Sequence, residues 1–238
     1  MGVSEYVALN RQSGLMREMQ IVANNIANIS TTGFRKEGLL FSEFVVRTGD
    51  GPSISMANAN VRLTSPVQGT MTQTGNPFDL AIEGEGFFMV ETPGGNQITR
   101  AGSFTPGPEG ELVTPDGYRL LDTGGAPIFV PPDARAVTVA ADGTLSADGR
   151  ALAQIGLYLP SVPVELTRQD GVRFSAASGY EPAAGGRILQ GFLEGSNVNA
   201  VQEIARMIEV QRAYELGQAL LEKEDERLRG VVNTLGRQ

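Results

Sequence analysis

The sequence predicts an α+β protein. Helices at the N- and C-termini are expected to pair as a coiled-coil-like domain, with a central all-β domain of short strands and hairpins between them. Apolar residues recur at alternating spacings of three and four near both ends of the 238-residue chain, which is the period of a helical seam. The 30 glycines and 13 prolines cluster between residues 49 and 186, which is typical of tight turns joining short strands.

The N-terminal helix is predicted over residues 3–29. Its apolar positions follow one another at spacings of 4, 3, 4 and 3 residues, and they are Leu15, Met19, Val22, Ile26 and Ile29. Such alternation places the side chains on one face of a helix. The sequence S-T-T-G at 30–33 predicts the end of the helix, with Gly33 as the residue in the left-handed conformation.

The C-terminal helix is predicted from about residue 198 to about residue 235. Its seam again alternates at three and four, through Met207, Val210, Tyr214, Gly217, Leu221, Glu224, Leu228, Val231 and Leu235. Ile204 and Ile208 widen the stripe, and Ser196 or Asn197 is the expected N-cap. A helix of this length spans roughly 55 Å. Because a domain of this size needs less, part of the helix is expected to contact other chains.

Four segments follow from these patterns. Residues 1–33 form the N-terminal helix of a helical domain, 34–78 an extended connector, 79–192 the central β-domain, and 193–238 the C-terminal helix that completes the helical domain. Within the β-domain, residues 108–120 nearly repeat in residues 141–152. Each copy carries Asp-Gly between two short apolar runs, which predicts two similar hairpins rather than two binding sites.

Composition excludes several classes of function. The net charge is −8 and no basic run is present, so nucleic-acid binding is not expected. The chain lacks histidine and cysteine, which excludes Ser-His-Asp and Cys-His catalysis and the usual zinc sites. We expect no cofactor, no metal and no small-molecule substrate. No segment approaches the ~20 apolar residues of a membrane span, so no membrane insertion is expected, and the first residues lack the features of a cleavable signal.

Acidic residues near the central glycines leave one enzymatic alternative open. A glycan-cleaving or carbohydrate-binding protein would need paired carboxylates across a cleft, and the sequence does not single out a pair. The other interpretation is that these side chains stabilise turns by binding nearby backbone groups. The candidates are Asp79, Glu83, Glu85, Glu109, Glu111, Asp116, Asp142 and Asp148.

Three asparagines near the end of the first helix form an unusual group. Asn24, Asn25 and Asn28 are poor helix formers, and one interpretation is a fraying, capped helix end. We favour a contact surface on which the amides fix the register of neighbouring helices, as buried asparagine does in coiled coils. The complete predicted assembly interface is Leu15, Met19, Val22, Asn24, Asn25, Ile26, Asn28, Ile204, Met207, Ile208, Val210, Tyr214, Leu221, Leu228 and Val231.

Four stretches that together cover nearly the whole chain carry a resemblance to a known family. They are N-N-I-A-N-I-S-T-T-G-F-R (24–35), N-P-F-D-L-A-I-E-G-E-G-F-F-M-V (76–90), T-R-A-G-S-F-T with G-E-L-V-T-P-D-G-Y-R-L-L (99–105 and 110–121), and S-N-V-N-A-V-Q-E-I-A-R-M-I-E-V-Q-R-A-Y-E (196–215). In these motifs the chain resembles the rod, hook and hook-filament-junction axial proteins of the bacterial flagellum.

The resemblance implies a structural subunit without catalysis. It implies helical polymerisation through the terminal helices into the drive shaft that crosses the periplasm and transmits torque from rotor to hook. The implied partners are other copies of the chain, neighbouring rod proteins and, during secretion, the flagellar type III export apparatus, with no cleaved signal peptide. A single β-domain in a chain of this length favours a proximal rod protein, and a distal rod protein is the alternative.

Overall fold

The computed structural model describes the backbone of residues 3–46 and 54–235, and the side chains of residues 8–40, 62–227, 229 and 230. Within these ranges it contains two long helices, α1 (Val3–Ala27) and α2 (Ala200–Leu235), and one short 3-10 helix, Pro163–Glu165. The strands are β1 (Glu37–Val46), β2 (Ile54–Thr64), β3 (Met71–Gln73), β4 (Leu80–Glu83), β5 (Phe87–Thr92), β6 (Gly95–Thr99), β7 (Thr105–Pro106), β8 (Leu112–Val113), β9 (Arg119–Leu120), β10 (Val137–Val139), β11 (Thr144–Ala147), β12 (Arg150–Gln154), β13 (Leu157–Pro160), β14 (Thr167–Asp170), β15 (Arg173–Ser175), β16 (Tyr180–Pro182), β17 (Arg187–Gln190) and β18 (Phe192–Glu194). The predicted α+β class with a mainly β centre is confirmed.

The chain forms two compact units. The helical unit comprises the described parts of 1–27, 37–63 and 199–238, and the β unit comprises 28–36 and 64–198. The segment 34–78, for which the sequence predicts a connector, supplies β1 and β2 of the helical unit and also enters the β unit, where it supplies β3.

The helical unit contains α1, α2 and the two-stranded sheet of β1 and β2. Its buried apolar side chains include Ile21 and Val22 of α1 and Val210 of α2. Both helices agree with the predicted spans to within two residues, since α1 ends at Ala27 instead of residue 29 and α2 begins at Ala200 instead of residue 198. Strong helical periodicity therefore located both elements.

The N-cap of α2 differs from the expected one. Asn199 is the cap, because its Oδ1 accepts a hydrogen bond from the backbone N–H of Gln202 at 3.1 Å. The expected cap Asn197 is bound elsewhere, since its Oδ1 accepts from the backbone N–H of Lys36 at 2.6 Å. Ser196 accepts from the N–H of Val198. The prediction of Ser196 or Asn197 was wrong because several consecutive polar residues could cap the helix and long-range contacts selected among them.

The β unit is built around one large antiparallel sheet. Nine strands belong to it, in the order β14-β15-β6-β5-β9-β8-β7, with β13 pairing with β5 and β16. Smaller sheets are formed by β10-β11-β12, by β17 with β4, and by β18 with β3. Side chains alternate between buried and half-buried along the strands, as in β11, where Leu145 and Ala147 are buried and Thr144 and Ser146 are half-buried. The main buried cluster is Leu80, Ile82, Phe88, Val90, Phe104, Leu112, Leu120, Ile128, Val130, Leu145, Ile155, Leu157 and Ile188.

The near-repeat forms two antiparallel hairpins, β8–β9 and β11–β12, as predicted. The second turn has positive φ at both central residues, 49° at Asp148 and 82° at Gly149, which suits the twist of a two-residue hairpin. In the first turn Gly117 has φ 85°, and its N–H donates to the carbonyl of Thr114 at 2.8 Å. The two copies therefore share strand pairing but use different turns.

Gly33 has the predicted left-handed conformation, with φ 71°. It also lies against another segment of the β unit, since a Cβ at this position would be 2.2 Å from the backbone nitrogen of Ala101. Two independent requirements, positive φ and close backbone approach, thus demand glycine here.

Candidate assembly interface

Polar contacts between described residues join α1 and α2 within the helical unit. The Gln12 side chain donates to the carbonyl of Tyr214 at 2.9 Å, Arg206 Nε donates to Glu18 Oε1 at 2.6 Å, and Asn25 Nδ2 donates to Glu203 Oε2 at 2.9 Å. As the residue number on α1 increases, the residue number of its partner on α2 decreases, so the two helices run antiparallel.

Asn25 is the most completely engaged of these side chains and has no exposed surface. Besides Glu203, its Nδ2 donates to the carbonyl of Glu37 at 2.9 Å, and its Oδ1 accepts from the Glu37 N–H at 3.0 Å. Glu203 lies in the first turn of α2, where the helix dipole favours a negative charge. A shift of register would leave a buried amide and a buried carboxylate without partners, so this contact specifies the alignment.

The buried face of α1 is displaced by one residue from the predicted seam. It contains Gln12, Gly14, Glu18, Ile21, Val22 and Asn25. Of the predicted interface residues, Val22, Asn25 and Val210 are buried, Ile204 and Ile208 are exposed, and the side chains of Leu228 and Val231 lie outside the described residues. The half-buried ones are Leu15, Met19, Asn24, Ile26, Asn28, Met207, Tyr214 and Leu221.

Asn28 belongs to the β unit. Its Oδ1 accepts a hydrogen bond from the Thr31 hydroxyl at 3.1 Å, and its carbonyl accepts from the Thr31 N–H. Asn28 therefore stabilises the turn that follows α1.

Gly217 interrupts the apolar seam of α2 for a steric reason. A Cβ at this position would lie 2.1 Å from Gln12 Nε2. The absence of a side chain at 217 therefore leaves the space through which Gln12 reaches the carbonyl of Tyr214. Small residues allow such close approach between helices.

The outer face of α2 carries a second apolar stripe, which we call the outer stripe: Val201, Ile204, Ile208, Leu216 and Leu220. Val201 is 77% exposed and Leu216 is 73% exposed. Ile208 is two residues from the buried Val210, so their side chains project ~200° apart at 3.6 residues per turn. One face of α2 thus packs within the helical unit, and the opposite face contacts none of the described residues extensively.

Ion pairs occupy the flanks of α2. Hydrogen bonding to Glu18 raises the pKa of Arg206, and hydrogen bonding from Arg227 lowers the pKa of Glu224. Glu224, a charged residue at a predicted seam position, is therefore paired along its own helix at 2.6 Å. Asp225 and Arg229 also pair, at 2.8 Å, although exposed pairs of this kind contribute little stability.

The β unit contains a buried ion triad that the sequence does not indicate. Glu194 Oε1 lies 2.9 Å from Arg35 Nη2, and its Oε2 lies 3.1 Å from Arg100 Nη1. All three side chains are at most 4% exposed. Burial, assisted by the charge of Arg35, lowers the pKa of Arg100 to about 10, against the opposing effect of Glu194. Arg35 and Arg100 each lie in one of the motifs that resemble the flagellar axial proteins, but nothing in the spacing indicates that they share a carboxylate.

The acidic residues considered for catalysis make structural contacts. Asp142 accepts from the N–H of Thr144 at 2.9 Å, and Asp148 accepts from that of Ala136 at 3.1 Å. Further contacts are those of Asp79 with Asn76, Glu83 with Arg187, Glu111 with Arg119, and Asp116 with Arg173; Glu85 and Glu109 are exposed. These contacts favour the interpretation that the acids stabilise turns and strand pairs.

Neither a metal site nor a membrane-spanning helix occurs among the described residues. Among them no group of three or more acidic, histidine or cysteine side chains is arranged to hold a metal ion. No helix in the part of the chain that the structure describes has the length and hydrophobicity needed to cross a membrane.

Three family models match separate parts of the chain. The model described as flagella basal body rod protein matches residues 6–35. The model of the flagellar hook protein FlgE/F/G D1 domain matches residues 81–147. The model of the flagellar basal body rod FlgEFG protein C-terminal region matches residues 189–234. The matched regions include most of α1, much of the β unit and nearly all of α2.

Full-length relatives agree with the models. The chain is 41% identical to the flagellar basal-body rod protein FlgF of Caulobacter vibrioides, over 98% of this chain and 97% of the relative. It is 38% identical to FlgF of Mesorhizobium japonicum, over 98% of each. It is 31% identical to the flagellar basal-body rod protein FlgG of Bacillus subtilis, over 97% of this chain and 98% of the relative. With terminal helices and a β unit matched throughout, the chain belongs to the flagellar basal-body rod protein family and is a structural subunit of that family.

Proposed function

We propose that the chain is a proximal rod subunit that polymerises through α1 and α2 into the periplasmic part of the flagellar drive shaft. FlgF is the proximal and FlgG the distal rod protein, so the higher identity to FlgF relatives than to FlgG relatives, 38–41% against 31%, supports the proximal assignment. Its partners are other copies of itself and neighbouring rod proteins, with the type III export apparatus as the partner during secretion. Its role is to transmit torque, without catalysis.

The outer stripe of α2 is the observation that carries this proposal. Full burial of one aliphatic side chain contributes ~1.5–3 kcal/mol, and association of two proteins costs ~4–15 kcal/mol in lost freedom. The half-exposed Ile204 and Ile208 can gain only part of the full value. The free energy gained by burying one stripe against a single neighbour therefore supports only weak association. The summed free energy of contacts with several neighbours exceeds the cost of association. A subunit of this kind remains unassembled alone and adds to an existing end.

The buried faces of the helices prepare this surface. We propose that α1 and α2 pair in a coiled-coil-like manner, with Asn25 and Glu203 setting the register at 2.9 Å. A helix pair with one register presents the outer stripe in one orientation. Defined orientation is what a helical polymer requires, because heterologous contacts must repeat identically.

Charge substitution on the outer stripe tests the proposal. Ile208→Asp places a charge on the exposed face and should abolish incorporation into basal bodies and swimming. The matched control is Gln218→Asp, an exposed polar position on the same helix that lies ~80° around α2 from Ile208 on the side away from Leu216 and Leu220, and it should leave both unchanged. Circular dichroism of each purified chain checks that α2 is retained. Normal swimming by a chain carrying both Ile204→Asp and Ile208→Asp would refute the stripe as an assembly surface.

A photo-crosslinking side chain at residue 204 identifies the neighbours. Crosslinks to other copies or to other rod proteins are expected, and the identity of the rod protein captured separates the proximal from the distal position. A probe at residue 225, also exposed on α2 but ~60° around the helix from residue 204 on the side away from the other residues of the outer stripe, gives the background.

A further inference from the structure

A cavity of about 160 Å³ opens on the β unit beside the base of the β11–β12 hairpin. Its polar groups come from Thr123, Asp142, Gln154 and Tyr158, and its apolar wall includes Leu157, Pro182 and Ala183. None of the residues that line it is basic. We call it the hairpin-base pocket.

The polar groups of the pocket mainly accept hydrogen bonds. The Tyr158 hydroxyl donates to the carbonyl of Asp122 at 3.0 Å, so its oxygen offers only lone pairs to a ligand. Hydrogen bonds from the backbone and hydroxyl of Thr144 lower the pKa of Asp142, which keeps its carboxylate ionised. Gln154 Nε2 donates to the carbonyl of Asp142 at 3.2 Å. The pocket therefore favours a cation that donates hydrogen bonds.

The walls favour a cation with an aliphatic stem. A Cβ at Gly156 would lie 2.6 Å from Tyr158 Cε2, and one at Gly186 would lie 2.7 Å from Leu157 Cδ1. Glycine at both positions thus lets the tyrosine ring and the leucine side chain line the cavity. Arginine covers apolar surface with its methylene groups and presents several donors at its end, so an arginine side chain fits both parts of the lining.

Arg150 of this chain lies where it can reach the pocket of a neighbouring copy. Arg150 follows the turn of the β11–β12 hairpin, is exposed, and forms no ion pair with any residue that the structure describes. The turn at the tip of the β11–β12 hairpin is anchored by Asp148, whose Oδ1 accepts hydrogen bonds from the backbone N–H groups of Ala136 and Arg135 at 3.1 and 3.2 Å. Strand β12 separates Arg150 from Gln154 by ~13 Å at 3.2–3.4 Å per residue, so Arg150 does not reach the pocket of its own chain.

We infer that the hairpin-base pocket receives Arg150 from the hairpin tip of a second copy, with its guanidinium against Asp142. The inference rests on the proposed function in one respect, which is that copies lie side by side. Tip and pocket are different surfaces of one chain, so each copy donates an arginine to one neighbour and accepts one from another. Such a heterologous contact repeats without closing unless the rotation forms a ring, and it would link the β units in addition to the helices.

Binding of an arginine side chain is tested without assembly. Nα-acetyl-arginine amide is titrated into the full-length chain, and backbone amide resonances are followed by NMR. Shifts are expected at residues 154–158 and 183, with at least tenfold weaker binding to Asp142→Asn. The matched control is Asp116→Asn, an exposed acid away from the pocket, which should bind as the unchanged chain does. Equal binding of the neutral analogue Nα-acetyl-citrulline amide, or no binding of the arginine amide, would overturn the inference.

The identity of the occupant is tested by disulfide trapping, which is clean because the chain contains no cysteine. A variant with Asp142→Cys and Arg150→Cys, expressed in cells that build basal bodies, should give a ladder of oxidised multimers in isolated rods. Within one chain Arg150 pairs with Ala147, and position 142 lies beyond Thr144 at the other end of β11, so the two positions are ~10 Å or more apart, beyond the ~7 Å limit for a disulfide. Each single variant should give no ladder.

The two experiments separate the possible failures. Rods that contain the double variant but show no ladder would overturn the tip-in-pocket contact while leaving the rod function intact. Absence of the unchanged chain from purified basal bodies would refute the proposed function, and the arginine titration would still report on the pocket.

Discussion

Glu194→Gln tests the buried triad of the β unit most directly. The substitution keeps the size of the side chain and retains an oxygen that can accept the hydrogen bond from the Gly69 N–H, now 2.9 Å from Glu194 Oε1. It removes the only negative charge of the triad. Arg35 and Arg100, both almost completely buried, are then left facing one another without a counter-charge.

The magnitude follows from burial. Removing one partner of a buried ion pair costs about 3–5 kcal/mol, because the remaining charge is uncompensated in a medium of low dielectric constant. The matched control is Glu83→Gln, which breaks the 2.6 Å ion pair between Glu83 and Arg187. The Glu83 side chain is 49% exposed and the Arg187 side chain is 66% exposed. Exposed pairs contribute ~0–1 kcal/mol. The same chemical change should thus have clearly different effects at the two sites.

Thermal unfolding followed by near-ultraviolet circular dichroism measures the difference. The signal reports mainly on the β unit, which contains Tyr118, Tyr158 and Tyr180. A loss of 3–5 kcal/mol should lower Tm by on the order of 10 °C, whereas the control should shift it by a few degrees at most. If Glu194→Gln lowered Tm no more than Glu83→Gln does, the triad would not be a buried, mutually dependent set of charges.

Three further predictions concern single positions. Burial first, and then the charge of Asp122, raise the pKa of Tyr158 above its usual 10.0, so the stability that this shift contributes is present below pH ~10 and is lost as pH rises through the raised pKa. Tyr158→Phe should therefore reduce the loss of unfolding free energy at alkaline pH, as measured by urea unfolding. Gly33→Ala should destabilise the β unit more than Gly117→Ala in the same assay, because both have positive φ but only Gly33 would place a Cβ against backbone, and equal losses would refute the steric argument. Asn199→Ala should cost ~1 kcal/mol of helix stability, measured by circular dichroism at 222 nm, and an unchanged helix would mean that Asn199 is not the effective cap.

Local features of the sequence predicted much of the fold. The alternation of Leu15, Met19 and Val22 located α1, and a similar alternation located α2 over its whole length. The Asp-Gly pairs predicted both hairpins, because that dipeptide tolerates positive φ. The glycine at 33 was predicted to be left-handed for the same reason. In each case the determining interaction lies within a few residues along the chain.

Other features could not be predicted from local patterns. Asn25 and Glu203 are 178 residues apart in the chain, and Glu194 binds arginines from two distant segments. The sequence predicted Ser196 or Asn197 as the N-cap of α2 instead of Asn199, because any of several polar residues satisfies the capping rule. The hairpin-base pocket was not foreseen either, since it is lined from β12, β13 and residues 182–186.

The sequence by itself determined the helical and strand periods, the positions of the turns and the absence of histidine and cysteine chemistry, since each of these depends on residue type and short spacing. Tertiary structure decided which stripe of each helix is buried. On α2 the sequence offered apolar residues on more than one face, and packing against α1 enclosed Val210 while leaving Ile208 exposed. The physical reason is that periodicity defines a surface, whereas only its partner determines whether water is excluded from it.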